Sequence, residues 1–169
     1  MKSLIAFYSR RGENYIDGVV KTLTVGNTEL AATVLQKLTG ADCFQIEPRQ
    51  DYPADYYQCI DRACQDLRKG VRPKLKHLPD SIAPYDVIYL GYPNYWGTMP
   101  MPVFSFLEQF DFSGKTIKPF CTHEGSGMGH SEQDLRQLCP TAHIMPGLSM
   151  RGAQISQELS AMETWVKEK

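Results

Sequence analysis

Runs of apolar, β-branched and aromatic residues bounded by turn formers fall at Ser3–Tyr8, Cys43–Ile46, Val87–Tyr92, Ile117–Cys121 and Ala142–Leu148. Each has the composition and length of a β-strand. Val87-Ile88-Tyr89-Leu90-Gly91-Tyr92 is almost continuously apolar, the pattern of a strand packed on both faces of a parallel sheet; a strand with one wet face alternates. Between these runs the period lengthens to that of a helix. Leu30, Ala31, Val34, Leu35 and Leu38 share one face, and Gly40 ends it. Tyr56, Ile60, Ala63, Cys64 and Leu67 repeat the pattern before Gly70, with Asp55 and Gln58 at capping-box spacing. Val103, Phe104, Phe106, Leu107 and Phe110 form a short apolar helix behind Pro102, while Ser131 and Asp134 open another carrying Leu135 and Leu138. Ile155, Leu159, Met162 and Val166 mark the last.

Strand and helix alternate five times over the chain, which predicts an α/β fold: a five-stranded parallel sheet with helices on both faces, a three-layer sandwich. A single domain over residues 1–169 is expected. Two stretches fall outside the pattern, Arg11–Val25 and Val71–Tyr85. Connections of that length, where βα loops run about 2–6 residues, carry function or mobility more often than not.

Composition narrows the class without naming a function. With 169 residues, 42% hydrophobic and 22% charged, the chain buries roughly 70% of its unfolded surface, so its core needs no disulfide or structural metal. Five cysteines, Cys43, Cys59, Cys64, Cys121 and Cys139, form an odd set without C-x-x-C or zinc-ribbon spacing. They imply free thiols and a cytoplasmic location. No run approaches the ~20 apolar residues of a membrane span, and the start lacks a secretion signal. Eighteen Lys+Arg against nineteen Asp+Glu give a net charge of −1, which excludes nucleic acid as the partner, because phosphate-backbone affinity needs clustered cations.

In an open parallel sheet, ligands sit beyond the carboxyl ends of the strands. The loops there hold Ser9-Arg10 with Gly26-Asn27-Thr28, then Pro93-Asn94-Tyr95-Trp96-Gly97, then Thr122-His123-Glu124-Gly125-Ser126-Gly127. Gly26-Asn27-Thr28 immediately precedes a helix, whose unpaired N–H groups and partial positive charge suit a phosphate. Asn27 or Thr28 serving only as an N-cap accounts for the same residues. Tyr95 and Trp96 follow the most buried strand and can stack on a flat ring or pack an interface. The third loop, with Gly125, Gly127 and Gly129, exposes backbone donors and acceptors that suit the edge of a polar ring. A phosphate cradle, an aromatic shelf and a polar edge together describe a phosphorylated planar ring such as FMN.

On these residues the chain resembles the flavodoxin-like family, in its short-chain or FMN-dependent reductase form. The resemblance implies the strand order 2-1-3-4-5 and FMN as cofactor. Ser9-Arg10 followed by Val25-Gly26-Asn27-Thr28 is similar to the family's phosphate motif, a hydroxyl residue, any residue, then T-G-x-T. Fourteen residues, Arg11 to Thr24, interrupt it, and Val25 replaces the middle hydroxyl. Arg10 or Arg11 is a candidate to compensate by pairing with the phosphate. The resemblance assigns Pro93, Asn94, Tyr95, Trp96 and Gly97 to the flavin shelf, with Tyr95 or Trp96 over the ring. It assigns His123, Glu124, Gly125, Ser126 and Gly127 to the ring edge. The insertion is a candidate flap over the cofactor, with an inert or interface-forming excursion as the alternative.

Other chemistries lack their signatures. Ser126 lies outside a G-x-S-x-G elbow, and His123, Glu124 and His130 do not make H-E-x-x-H; no metal is expected. The reading is an FMN flavoprotein transferring electrons or hydride, taking them from NAD(P)H and passing them to a quinone-like acceptor that His123 or Tyr95 hydrogen-bonds. The alternatives are a one-electron carrier serving a redox-partner protein and an FMN-free binding scaffold. Near-neutral charge favours the enzyme, because carriers of this family are commonly acidic. A homodimer is compatible with the sequence, and no membrane partner is expected.

Overall fold

The structure, a computed structural model, describes residues 1–168. Its central sheet holds β1 (Ser3–Phe7), β4 (Asp42–Gln45), β5 (Val87–Pro93), β6 (Thr116–His123), β7 (His143–Ile144) and β8 (Leu148–Arg151), while β2 (Gly12–Ile16) and β3 (Val19–Leu23) form a separate hairpin. The helices are α1 (Asn27–Thr39), α2 (Tyr56–Lys69), α3 (Met101–Leu107), α4 (Ser131–Leu138) and α5 (Leu159–Lys167).

The sheet runs β4-β1-β5-β6-β7, with β8 also on β6, and every pairing in it is parallel. Counted by position this is the order 2-1-3-4-5. The fifth position differs from the expected single strand over Ala142–Leu148. Two short strands share it, pairing with Thr116–Ile117 and Phe120–His123 of β6, and Met145-Pro146-Gly147 separates them. Proline has no N–H for a ladder, so the break falls where a continuous strand is least favoured.

β5 is enclosed on both faces. Ile88 to Tyr92 are all buried, with Leu4, Ala6, Phe106 and Ile117 in the core on one face and Ile5, Phe7, Leu35 and Phe120 in the core on the other. Gly91 pairs with Phe120 of β6, and a Cβ at position 91 would land in the Phe120 ring. The glycine therefore makes room for an aromatic that the adjacent strand buries completely. All seven residues of α3 are buried, which explains its apolar run.

Local signals fix the start of α2 and the ends of α1 and α2. The Asp55 carboxylate accepts from the Gln58 N–H at 2.8 Å, and Gly40 and Gly70 close α1 and α2 in the left-handed conformation. Three ends depart from expectation. α3 stops at Leu107, short of Phe110. Ser131 does not cap α4; its hydroxyl donates to the Met128 carbonyl at 2.6 Å and accepts from the buried Tyr92 hydroxyl at 2.9 Å. Ile155 precedes α5, in a 3-10 turn over Gly152–Gln157. Among the described residues no helix is long and apolar enough to cross a membrane.

Candidate functional site

Strand order reverses at β1, whose neighbours β4 and β5 lie on opposite sides, and a crevice opens beyond the carboxyl ends of β1, β5 and β6. The chain leaves β1 through Tyr8-Ser9-Arg10 and enters the β2–β3 hairpin, where the sequence predicts a loop. Its turn is Asp17-Gly18, both residues at positive φ (48° and 84°), the two-residue geometry that antiparallel strands favour. Asp-Gly ahead of Val19-Val20 is the signal from which the hairpin was legible.

Because the hairpin doubles back, its two ends meet. A Cβ on Gly26 would overlap both the Ser9 hydroxyl and the Arg10 carbonyl. The interrupted motif is thus contiguous in space. Gly26 precedes α1 with no side-chain cap, and the Ser9 Oγ accepts from the Glu29 N–H at 3.0 Å. The Thr28 and Thr122 hydroxyls share a buried 2.7 Å hydrogen bond that ties α1 to β6. Val25, where the family motif has a hydroxyl, is 45% exposed and outside the cleft lining.

Both arginines have partners within the protein, and of the two only Arg10 lines the cleft. The Arg10 guanidinium donates to the carbonyls of Glu13, Pro53 and Ala54 at 2.8–2.9 Å. Arg11 pairs in bidentate fashion with Glu29. The same contacts pin the hairpin. The Glu13 carboxylate accepts from the Tyr56 N–H at 2.6 Å, at the start of α2, and Tyr15 stacks on Tyr56 with centroids 6.0 Å apart. At the tip, the Glu124 carboxylate accepts from the Asp17 and Ala153 N–H groups. The hairpin is a wall of the crevice anchored at both ends.

The crevice holds a cleft of about 340 Å³. Ser9, Arg10, Asn27 and Thr28 line its α1 end, Pro93, Asn94 and Tyr95 one side, and Thr122 to Ser126 the other. Asn14, Tyr15 and Tyr56 complete it; these three, with Thr122, are absent from the residues assigned from sequence. Of the assigned residues, Gly26, Trp96, Gly97 and Gly127 lie outside the lining. Gly127 accepts through its carbonyl from the Asn94 side chain at 2.9 Å, and Asn94 also accepts from the Gly97 N–H, so one side chain clamps the two loops together. Trp96 and Gly97 line an adjoining chamber of about 330 Å³.

The two aromatics of the shelf take different roles. Tyr95 turns inward, edge to face with Tyr8 and Tyr52, and its buried hydroxyl has no hydrogen-bond partner among the described residues. Burial raises that phenol far above its ordinary range, so it stays protonated. Trp96 is 52% exposed, at φ 56°, and its indole N–H donates to the Ile60 carbonyl of α2 at 2.8 Å.

His123 accepts at Nδ1 from the Gly125 N–H at 2.8 Å, which leaves Nε2 as the protonated nitrogen of the neutral ring. Burial lowers its pKa below the ordinary 6.5, against an opposing pull from Glu124. Folded-state depression means the unfolded chain binds the proton first, so stability is full above pH 6.5 and declines as pH falls through the lowered value. Melting curves from pH 7.5 to 5 are expected to show this decline, and His123→Gln to flatten part of it; equal pH slopes in both proteins would refute the assignment.

The flavodoxin family model matches residues 19–169. A protein of Bacteroides uniformis provisionally described as a flavoprotein is 27% identical, with 99% of this chain and 98% of that chain covered and a TM-score of 0.78. One of Bacteroides eggerthii, described likewise, is also 27% identical over 95% and 97% of the two chains, TM-score 0.73. A Lactobacillus acidophilus flavoprotein solved in complex with FMN shares the fold at 18% identity, over 94% and 98%, TM-score 0.65. No curated protein matches. The family match starts within the hairpin, at the first residue of β3, and takes in α1, every later strand of the sheet and both loops that flank the cleft: the chain belongs to the flavodoxin family.

Proposed function

We propose that this protein binds FMN in the cleft and works as an NAD(P)H-dependent reductase of quinone-like acceptors. The observation that carries FMN binding is the reassembled phosphate end. A 13-residue helix begins there behind Gly26, which has no side chain to cap it. Of its first N–H groups Ser9 takes only that of Glu29, which leaves those of Asn27 and Thr28 for an anion, with the partial positive charge of the helix behind them. The Ser9 hydroxyl and the first-turn backbone at Asn27 and Thr28 would hold the phosphate through neutral donors. Pro93 to Tyr95 would flank the ring on one side. The neutral His123, with Nε2 as donor, and the Gly125-Ser126 backbone would meet its polar edge on the other. The isoalloxazine supplies the electron and hydride chemistry; the protein orients it and tunes its surroundings. Among the described residues all five cysteines are free, and the protein side needs no nucleophile for this reaction.

The reductase reading, rather than the carrier, is supported by the near-neutral charge and by the chamber beside the cleft, since a pure carrier needs no substrate space. The test is a visible spectrum of the purified protein with and without added FMN, followed by NADH or NADPH and then menadione. A bound-flavin spectrum that bleaches with nicotinamide and recovers with menadione is the expected result. Flavin that binds but does not bleach replaces the reductase with the carrier. Failure to bind FMN at large excess overturns the reading.

A further inference from the structure

The chamber of about 330 Å³ adjoining the cleft is built differently from the cleft itself. Cys59, Ile60 and Ala63 line it from one face of α2, and Tyr56, Tyr95 and Trp96 enclose it. Its one cation, Arg10, is turned onto three backbone carbonyls. The Cys59 thiol is held neutral, its pKa raised by burial. Among the described residues no carboxylate lines these walls and their one charged group, Arg10, is hydrogen-bonded to backbone, so a cationic ligand would find no partner and its desolvation there would be costly. Aromatic faces and small aliphatic groups suit a flat neutral ring. The Trp96 indole is held at the edge by its bond to the Ile60 carbonyl, and Ser126 offers an exposed hydroxyl at the rim.

We infer that this chamber is the acceptor subsite, taking a neutral planar ring with polar oxygens at its edge, a quinone or nitroaromatic, beside the flavin. The inference rests on the proposed FMN reductase reading for its role. Cleft and chamber share Tyr56, Asn94 and Tyr95 as walls, so a ring in one lies next to a ring in the other without leaving the protein. Phosphate at α1 would anchor the cofactor in the cleft, and Cys59, Ile60 and Ala63 of α2, which line only the chamber, are left to the second ligand.

The test is calorimetric titration of FMN-loaded protein with menadione, a readout independent of turnover. Wild type is expected to bind one menadione. Ala63→Leu, which fills the chamber, is expected to weaken that binding about tenfold while leaving FMN affinity within about twofold. Ile60→Ala, a truncation without risk of overpacking, is expected to weaken menadione about threefold and to serve where Ala63→Leu does not fold. Unaltered menadione affinity in both variants, or no binding to wild type, overturns the subsite. So does a loss of FMN affinity in both, which would place the flavin ring itself in the chamber. The two readings separate cleanly. Menadione binding that is sensitive to these variants in a protein that NAD(P)H does not reduce sinks the reductase and keeps the chamber. Menadione turnover indifferent to both variants keeps the reductase and sinks the chamber.

Discussion

Gly26→Ala is expected to lower FMN affinity by about 100-fold, equivalent to ~3 kcal/mol. The added methyl has no space: its position overlaps the Ser9 hydroxyl and the Arg10 carbonyl, and the second of these is backbone. Rotating Ser9 away would give up its hydrogen bond from the Glu29 N–H without relieving the carbonyl. The end of the hairpin must therefore move off the start of α1, which separates the two halves of the phosphate site. Overpacking of this kind costs about 1–3 kcal/mol in stability as well, so the variant should fold and melt lower. Fluorescence titration of the apoprotein with FMN measures the effect. An affinity within about threefold of wild type would mean that the closure of the hairpin does not build the phosphate site.

Lys118→Met is expected to destabilise the protein by about 3 kcal/mol, since hydrogen bonds to charged groups contribute about 1.5–3 kcal/mol each. Lys118 sits in the middle of β6 and is only 3% exposed. Its ammonium donates to the carbonyls of Trp165, Val166 and Glu168 at 2.7, 3.3 and 2.9 Å, at the end of α5, where helix carbonyls run out of i+4 donors. Among the described residues, of these three only Trp165 also accepts from a backbone N–H, that of Glu168. The cation also lies 5.1 Å from the centroid of the Trp165 ring. Burial lowers the lysine's pKa, with Glu168 opposing, which fits a charge kept in the core only by these acceptors. Methionine preserves the length and apolar stem but takes the ammonium away from all three carbonyls. At this chain length the melting point should fall by about 6–12 °C, and amide exchange should rise first in α5. A change of less than about 2 °C would show that water replaces the ammonium at no cost.

Both residues bear on what could be read from the chain alone. Lys118 lies inside the apolar run Ile117–Cys121, and the strand is legible around it, but a lone lysine in a strand carries no mark of its partner 47 residues away. Apart from its Asp17-Gly18 turn, the hairpin carries no signal in the sequence, for a related reason. Gly12–Ile16 and Val19–Leu23 are short, mostly exposed or half-buried segments, so neither shows the alternation that burial imposes. Their structure follows from a turn and from anchors on α1, α2 and Glu124. Tyr56 was legible as a helix residue through the apolar face of α2; its place in the cleft depends on Tyr15 and Glu13, more than forty residues earlier.

By itself the sequence determined the strand positions of the central sheet, the helices and their succession, because strand and helix periods are imposed locally by burial of one face or two. It also determined which end of the sheet carries the glycine-rich, hydroxylic and aromatic loops. Tertiary structure decided how those loops meet. The hairpin rejoins Ser9-Arg10 to Gly26-Asn27-Thr28, Tyr95 enters the core while Trp96 reaches the Ile60 carbonyl, and Arg10 and Arg11 are taken up by carbonyls and Glu29. Each outcome depends on contacts between residues far apart in the chain, whose free energy is realised only after the sheet has brought them together, and no local period encodes it.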